Sequence, residues 1–145
     1  MTESTAKLYS GVCSQARAAL LDSLAREESG GTTIVLVADP RRAAELAVEV
    51  GTYANWNEAE LEILHFPEDP PPDIDANRRL DRISERLSVL SALLAERHRL
   101  LIATPEALLG PCLEKAAFES RQIQLKVGDS ADYAELLQQL TGILD

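Results

Sequence analysis

The sequence predicts a three-layer α/β domain built on a central, mainly parallel sheet, and three observations predict it. Short apolar runs at residues 32–38 and 100–103 lack polar alternation, so both faces of each strand are expected to be covered. Each run ends in a capping residue and a proline, Asp39-Pro40 and Thr104-Pro105, ahead of a helix-periodic stretch. Strands alternating with helices in this way imply right-handed crossovers into one sheet, with ligands taken beyond the carboxyl ends of the strands.

The elements follow in order. Residues 6–28 read as a helix because Leu8, Val12, Ala16, Leu20 and Leu24 recur every four positions, and Gly30-Gly31 ends it. Residues 32–38 are the first strand. Asp39 caps the next helix, whose inner stripe holds Leu46 and Val50; Gly51 is expected to loosen its end. Residues 61–66 form a second, shorter strand. The loop at 67–72 carries four prolines in six positions, which remove donors and fix φ, so it is an extended, semi-rigid connector. Residues 75–97 form the longest helix, with Leu80, Ile83, Leu87, Leu90 and Leu94 as one stripe at spacings of three and four. Residues 100–103 are a third buried strand. Thr104, Pro105 and Glu106 start a short helix that Gly110-Pro111 stops. A further helical turn is expected at 114–119 and a half-exposed strand at 122–127. A last helix follows Gly128-Asp129-Ser130, with Tyr133, Leu136, Leu137, Leu140 and Leu144 as its apolar set.

The composition bounds the function. At 145 residues and 46% hydrophobic content the chain is long and apolar enough for a core without staples. A net charge of −10 favours solubility and works against non-specific binding to nucleic acid. Cys13 and Cys112 sit in no C-x-x-C pair, and residues 1–5 carry no apolar leader. The longest strongly apolar run, residues 34–38, is far too short to span a bilayer. Reduced thiols, a cytoplasmic location and no membrane contact are expected.

Among candidate sites, Arg78, Arg79, Arg82 and Arg86 stand out on one helix. They suit a contact to DNA phosphate or to an acidic partner face. Asp75, Asp81 and Glu85 stand beside them, so the alternative is a solvated face laced with i,i+3 and i,i+4 pairs and little net field. His65 and His98 have no companions at metal-ligand spacing, so no metal is expected. His65 is expected to pack beside Phe66 and His98 to cap a helix end. No G-x-S-x-G is present, and the carboxylate pairs Glu27-Glu28 and Glu68-Asp69 read as solvated. Residues 10–13, Ser-Gly-Val-Cys, have the make-up of an anion nest at a helix start. Tyr53 and Trp56 read as core or rim packing, or as interface aromatics.

The order of motifs resembles the bacterial transcription-repair coupling factors and their relative UvrB. Leu64-His65-Phe66-Pro67 corresponds to an apolar strand with an "HFP" turn, followed by a proline-rich loop and Pro72-Asp73-Ile74. Ser84-Glu85-Arg86-Leu87 with Leu90 corresponds to an "S-x-R-L-x-x-L" helix. Residues 102–109, Ile-Ala-Thr-Pro-Glu-Ala-Leu-Leu, and residues 125–129, Leu-Lys-Val-Gly-Asp, complete the series with Leu136 and Leu140. The resemblance covers most of the chain and implies a RecA-like, P-loop NTPase-like domain over residues 1–120. Residues 121–145 would be the entry to the family's inserted UvrA-binding module, cut short.

The resemblance also implies what is lost. An active P-loop needs G-x-x-x-x-G-K-[ST], whose lysine neutralises phosphate and whose hydroxyl holds Mg²⁺. Residues 8–15 offer Leu-Tyr-Ser-Gly-Val-Cys-Ser-Gln, so Ser10, Gly11, Cys13 and Ser14 mark a degenerate loop with no lysine in register. This matches the coupling factors better than UvrB. The expectation is a non-catalytic module without cofactor, contacting UvrA and the remainder of a coupling factor, with at most weak DNA contact in that longer context. The alternatives are a nucleotide- or phosphate-binding enzyme of RecA-like or flavodoxin-like fold and a stand-alone domain that binds DNA through the arginine helix.

Overall fold

Residues Arg99–Ala103 (β3) form the strand on which the sheet is built, with Thr32–Leu36 (β1) on one side and Glu62–Phe66 (β2) on the other, all parallel. The computed structural model describes residues 6–27, 30–57, 60–123, 125–128 and 132–142. By internal contact the chain divides into two compact units, Met1–Gly110 and Pro111–Asp145. The sheet lies in the first.

The register sorts the side chains. Val35 and His65 flank Ile102 on one face; Ile34 and Leu64 flank Leu101 on the other. The first face packs on Arg17–Glu27 (α1) and Pro40–Trp56 (α2), where Ala18, Ala25, Ala43, Leu46 and Val50 bury Leu100 and Ile102. Alanines at the α1–α2 contact let the two helices approach closely. The second face packs on Ala76–Leu94 (α3), where Val89, Leu90 and Leu93 meet Phe66, Leu101 and Ala103. The result is helix, sheet, helix: a small all-parallel α/β unit, as the alternation of segments predicts.

Local chemistry starts the elements. Asp39 accepts from Arg42 N at 2.7 Å with Pro40 in the first turn of α2. Asp75 accepts from Asn77 N and Arg78 N at the start of α3. Thr104 accepts from Ala107 N at 3.1 Å and starts Pro105–Leu109 (α4). Gly30 and Gly31, at φ +93° and +84°, turn the chain from α1 into β1 through a region other residues avoid. The second unit holds Lys115–Ser120 (α5) and Tyr133–Gly142 (α6).

Several expectations change. The first helix begins at Arg17, after a 3₁₀ turn at Ser14–Ala16, and Leu8 stands 92% exposed. Gly11 at φ +73° interrupts any helix there. The buried face of α1 is Ala18, Asp22 and Ala25. β1 is covered on one face only, with Ile34 and Leu36 exposed. The interior edge of α3 carries Arg86 and Val89, while Leu80, Ile83 and Leu87 of the predicted stripe are exposed. Gly51 lies within α2, which runs on to Trp56. No strand forms among the described residues of 122–127, because an alternating run needs a neighbouring strand to bond. Asp129, Ser130 and Leu144 lie outside the described residues. Among the described residues no helix is long and apolar enough to cross a membrane.

Candidate functional site

Two clefts open near the carboxyl ends of the strands. The first, of about 560 Å³, lies beside the loop at Gly11 and is lined by Tyr9, Gly11, Arg17, Leu20, Val37 and Arg42 among others. The loop residues Ser10, Gly11, Cys13 and Ser14 are all exposed. Ser14 Oγ donates to Gln15 Oε1 at 3.0 Å, so its hydroxyl is engaged locally. The chain's lysines are Lys7, Lys115 and Lys126, and none follows Gly11 within the loop. Arg42 Nη1 and Nη2 donate to the two carboxylate oxygens of Glu49 at 2.7 and 3.0 Å. That fork raises the Arg42 pKa and lowers that of Glu49, the hydrogen bond being the main cause in each. A phosphate entering the cleft would compete with Glu49 for this arginine. Arg17 is the other cation along the wall.

The second cleft, of about 350 Å³, lies where β2 and β3 end, and Pro40, Arg41, His65, Pro67, Arg82 and Thr104 help to line it. Three of its lining residues, Phe66, Pro67 and Asp69, are held by Arg86. This side chain is 6% exposed, donates from Nη1 to Pro67 O at 2.6 Å, pairs through Nε with Asp69 at 3.0 Å, and lies 4.3 Å over the Phe66 ring. A guanidinium that stacks, bonds a carbonyl and pairs a carboxylate at once is a use lysine cannot match. Thr104 Oγ1 donates to Glu68 Oε1 at 2.8 Å and holds the same loop from the other side. Both acids of Glu68-Asp69 therefore hold partners within the fold, although Asp69 is exposed, as the sequence suggests. His65 is half-buried, and burial, then the charge of Arg82, lowers its pKa, while Glu85 opposes.

The four arginines of α3 thus divide. Arg86 is interior. Arg79 donates to Pro72 O at 2.6 Å and tethers the far end of the proline-rich loop. Arg78 and Arg82 form surface pairs with Asp75 at 3.4 Å and Glu85 at 3.7 Å. His98 does not serve the end of α3, the helix it follows and the one its position suggests; its Nε2 lies 2.8 Å from Ala25 O of α1. Trp56 is 83% exposed at the end of α2.

Sequence reading passes over two interior charges. Arg99, 1% exposed, donates from Nε to Glu62 Oε2 at 3.0 Å and from Nη1 to Ala95 O at 2.7 Å, tying α3 to the sheet. Its signal was the matched position of Glu62 and Arg99 at the starts of neighbouring strands. Asp22, 3% exposed, accepts from Arg26 and from Asn57 Nδ2 and joins α1 to the end of α2. Among the described residues no group of three or more His, Cys, Asp or Glu side chains is placed to hold a metal ion. Compared with protein-family models, curated proteins and solved structures, the chain matches none.

Proposed function

We propose that this chain is a non-catalytic protein-interaction module of the kind found at the amino end of transcription-repair coupling factors, acting in transcription-coupled nucleotide excision repair in the cytoplasm. The observation that carries the reading is the cleft beside Gly11. It lies beside the loop that the resemblance makes a degenerate phosphate cradle, no lysine lines it, and the fork of Arg42 is closed on Glu49. Arg17 is then the one cation among the lining residues left to meet a triphosphate, less positive charge than such a cradle needs.

The family assignment draws support from a convergence. The motifs that carry the resemblance lie far apart in sequence, yet Phe66, Pro67 and Arg86 meet, and Thr104 grips the adjoining Glu68. Three parallel strands with helices on both faces are compatible with the RecA-like layout. The partners on this reading are UvrA and the remainder of a coupling factor. DNA binding through α3 is disfavoured, because Arg79 and Arg86 are engaged within the fold.

Calorimetric titration with ATP and Mg²⁺, followed by interferometry against immobilised UvrA, tests the reading. No heat of ATP binding is expected up to about 1 mM, a level that would reveal any interaction tighter than about −4 kcal/mol. Saturable UvrA binding is expected. Micromolar ATP binding would remove the non-catalytic assignment, and flat UvrA traces would remove the partner.

A further inference from the structure

The α3 face of the sheet is only half covered. Asp81, Arg82 and Glu85 lie beside His65 at the β2 edge, which turns the opposite flank of α3, with Leu80, Ile83 and Leu87, toward β1. Those three are 64%, 39% and 40% exposed. Ile34 and Leu36 share the face of Leu101 and Ala103 by register, and they are 55% and 59% exposed. A ridge and a trough therefore run side by side: the leucine flank of α3 and the bare strip over β1.

Charge avoids this surface. At 100° per residue, all the charged residues of α3 fall on the arc facing the sheet and the β2 edge. The remaining arc carries Leu80, Ile83 and Leu87 with Ser91 beside them, while Ser84 and Ser88 border the β2-edge side with Asp81 and Glu85. Residues 32–38 carry no charge either. In a chain of net charge −10, two copies could meet here without bringing like charges together.

We propose that the occupant is a second copy of this chain. A ridge beside a trough is its own complement under a two-fold axis. Each α3 lies in the other copy's trough, over its Ile34 and Leu36, and the two leucine flanks meet antiparallel. Leu80, Ile83 and Leu87, at spacings of three and four, are placed as a coiled-coil seam would place them, whereas Leu90 is taken up by the core. A 19-residue helix is about 28 Å long, and with the trough beside it offers on the order of 600 Å² per copy, the low end of a specific interface. This interface and the coupling-factor reading stand or fall separately.

Sedimentation velocity on the full chain from about 1 to 200 µM reads the equilibrium, with a micromolar dimer expected. Leu87→Glu, at a half-exposed position, is expected to weaken it at least tenfold, and Glu85→Lys on the opposite arc to leave it unchanged. Leu80→Lys serves in place of Leu87→Glu should that variant misfold by circular dichroism. In a Cys13→Ser, Cys112→Ser background, Leu87→Cys is expected to give a bismaleimide-linked dimer. A monomer at every concentration overturns the proposal, as does a dimer that both Leu87→Glu and Leu80→Lys leave intact. Preferred cross-linking of Ile34→Cys overturns it too, because that result means pairing along the β1 edge.

Discussion

β1 and β3 look alike as sequence and differ as structure. Both are short apolar runs followed by a capping residue and a proline. β3 is buried at all five positions, whereas β1 alternates between exposed and half-buried. The difference comes from what lies over them. β3 is central, with α2 behind it and α3 in front. β1 is an edge strand with helices on one face alone. An apolar run states what a strand requires; the surrounding elements decide whether the requirement is met within one chain.

Mutations sharpen this contrast, and the largest effect belongs to the centre. Ile102→Ala is expected to cost about 3–4 kcal/mol in urea unfolding, and Ile34→Ala less than about 1 kcal/mol. Equal losses would mean that the β1 face is covered. Arg86→Ala should cost about 2–3 kcal/mol, because it strands Asp69 and Pro67 O while removing a stacked cation; Arg86→Lys should recover little of it. Arg82→Ala, on the same helix but in a surface pair, should stay within about 0.5 kcal/mol.

The smallest effect is a pH slope. Burial and Arg82 hold the His65 pKa below the ordinary histidine value. The unfolded chain therefore takes up a proton near pH 6.5 that the folded chain resists. The His65 contribution is flat above that pH and becomes destabilising as pH falls through it. His65→Gln should lose less melting temperature than the parent between pH 7.5 and 5.5. A steeper loss in the variant would reverse the sign.

What was legible in the sequence was local. Asp39 and Thr104 announce their helices because a cap bonds within three residues. Parallel strands follow from the alternation of segments. What was not legible depends on distant neighbours. Arg86 reads as a surface arginine until Phe66, Pro67 and Asp69 arrive from 17 to 20 positions away. The leucine flank of α3 reads as core because it has the right period, and only the position of β1 shows that no element of the first unit covers it. The start of α1 is not legible because a four-residue repeat of apolar side chains runs straight through the helix-breaking Gly11.

Amide hydrogen exchange along β1 tests the half-finished sheet most directly. Val37 N bonds Ala103 O and Gly31 O accepts from Arg99 N, so the odd-numbered amides of this strand face β3 and those of Ile34 and Leu36 face outward. The account predicts slow exchange at Val35 and Val37, fast exchange at Ile34 and Leu36, and the slowest exchange within β3. Equal protection at the amides of residues 34–37 would contradict it, because the open edge would then be a bonded one.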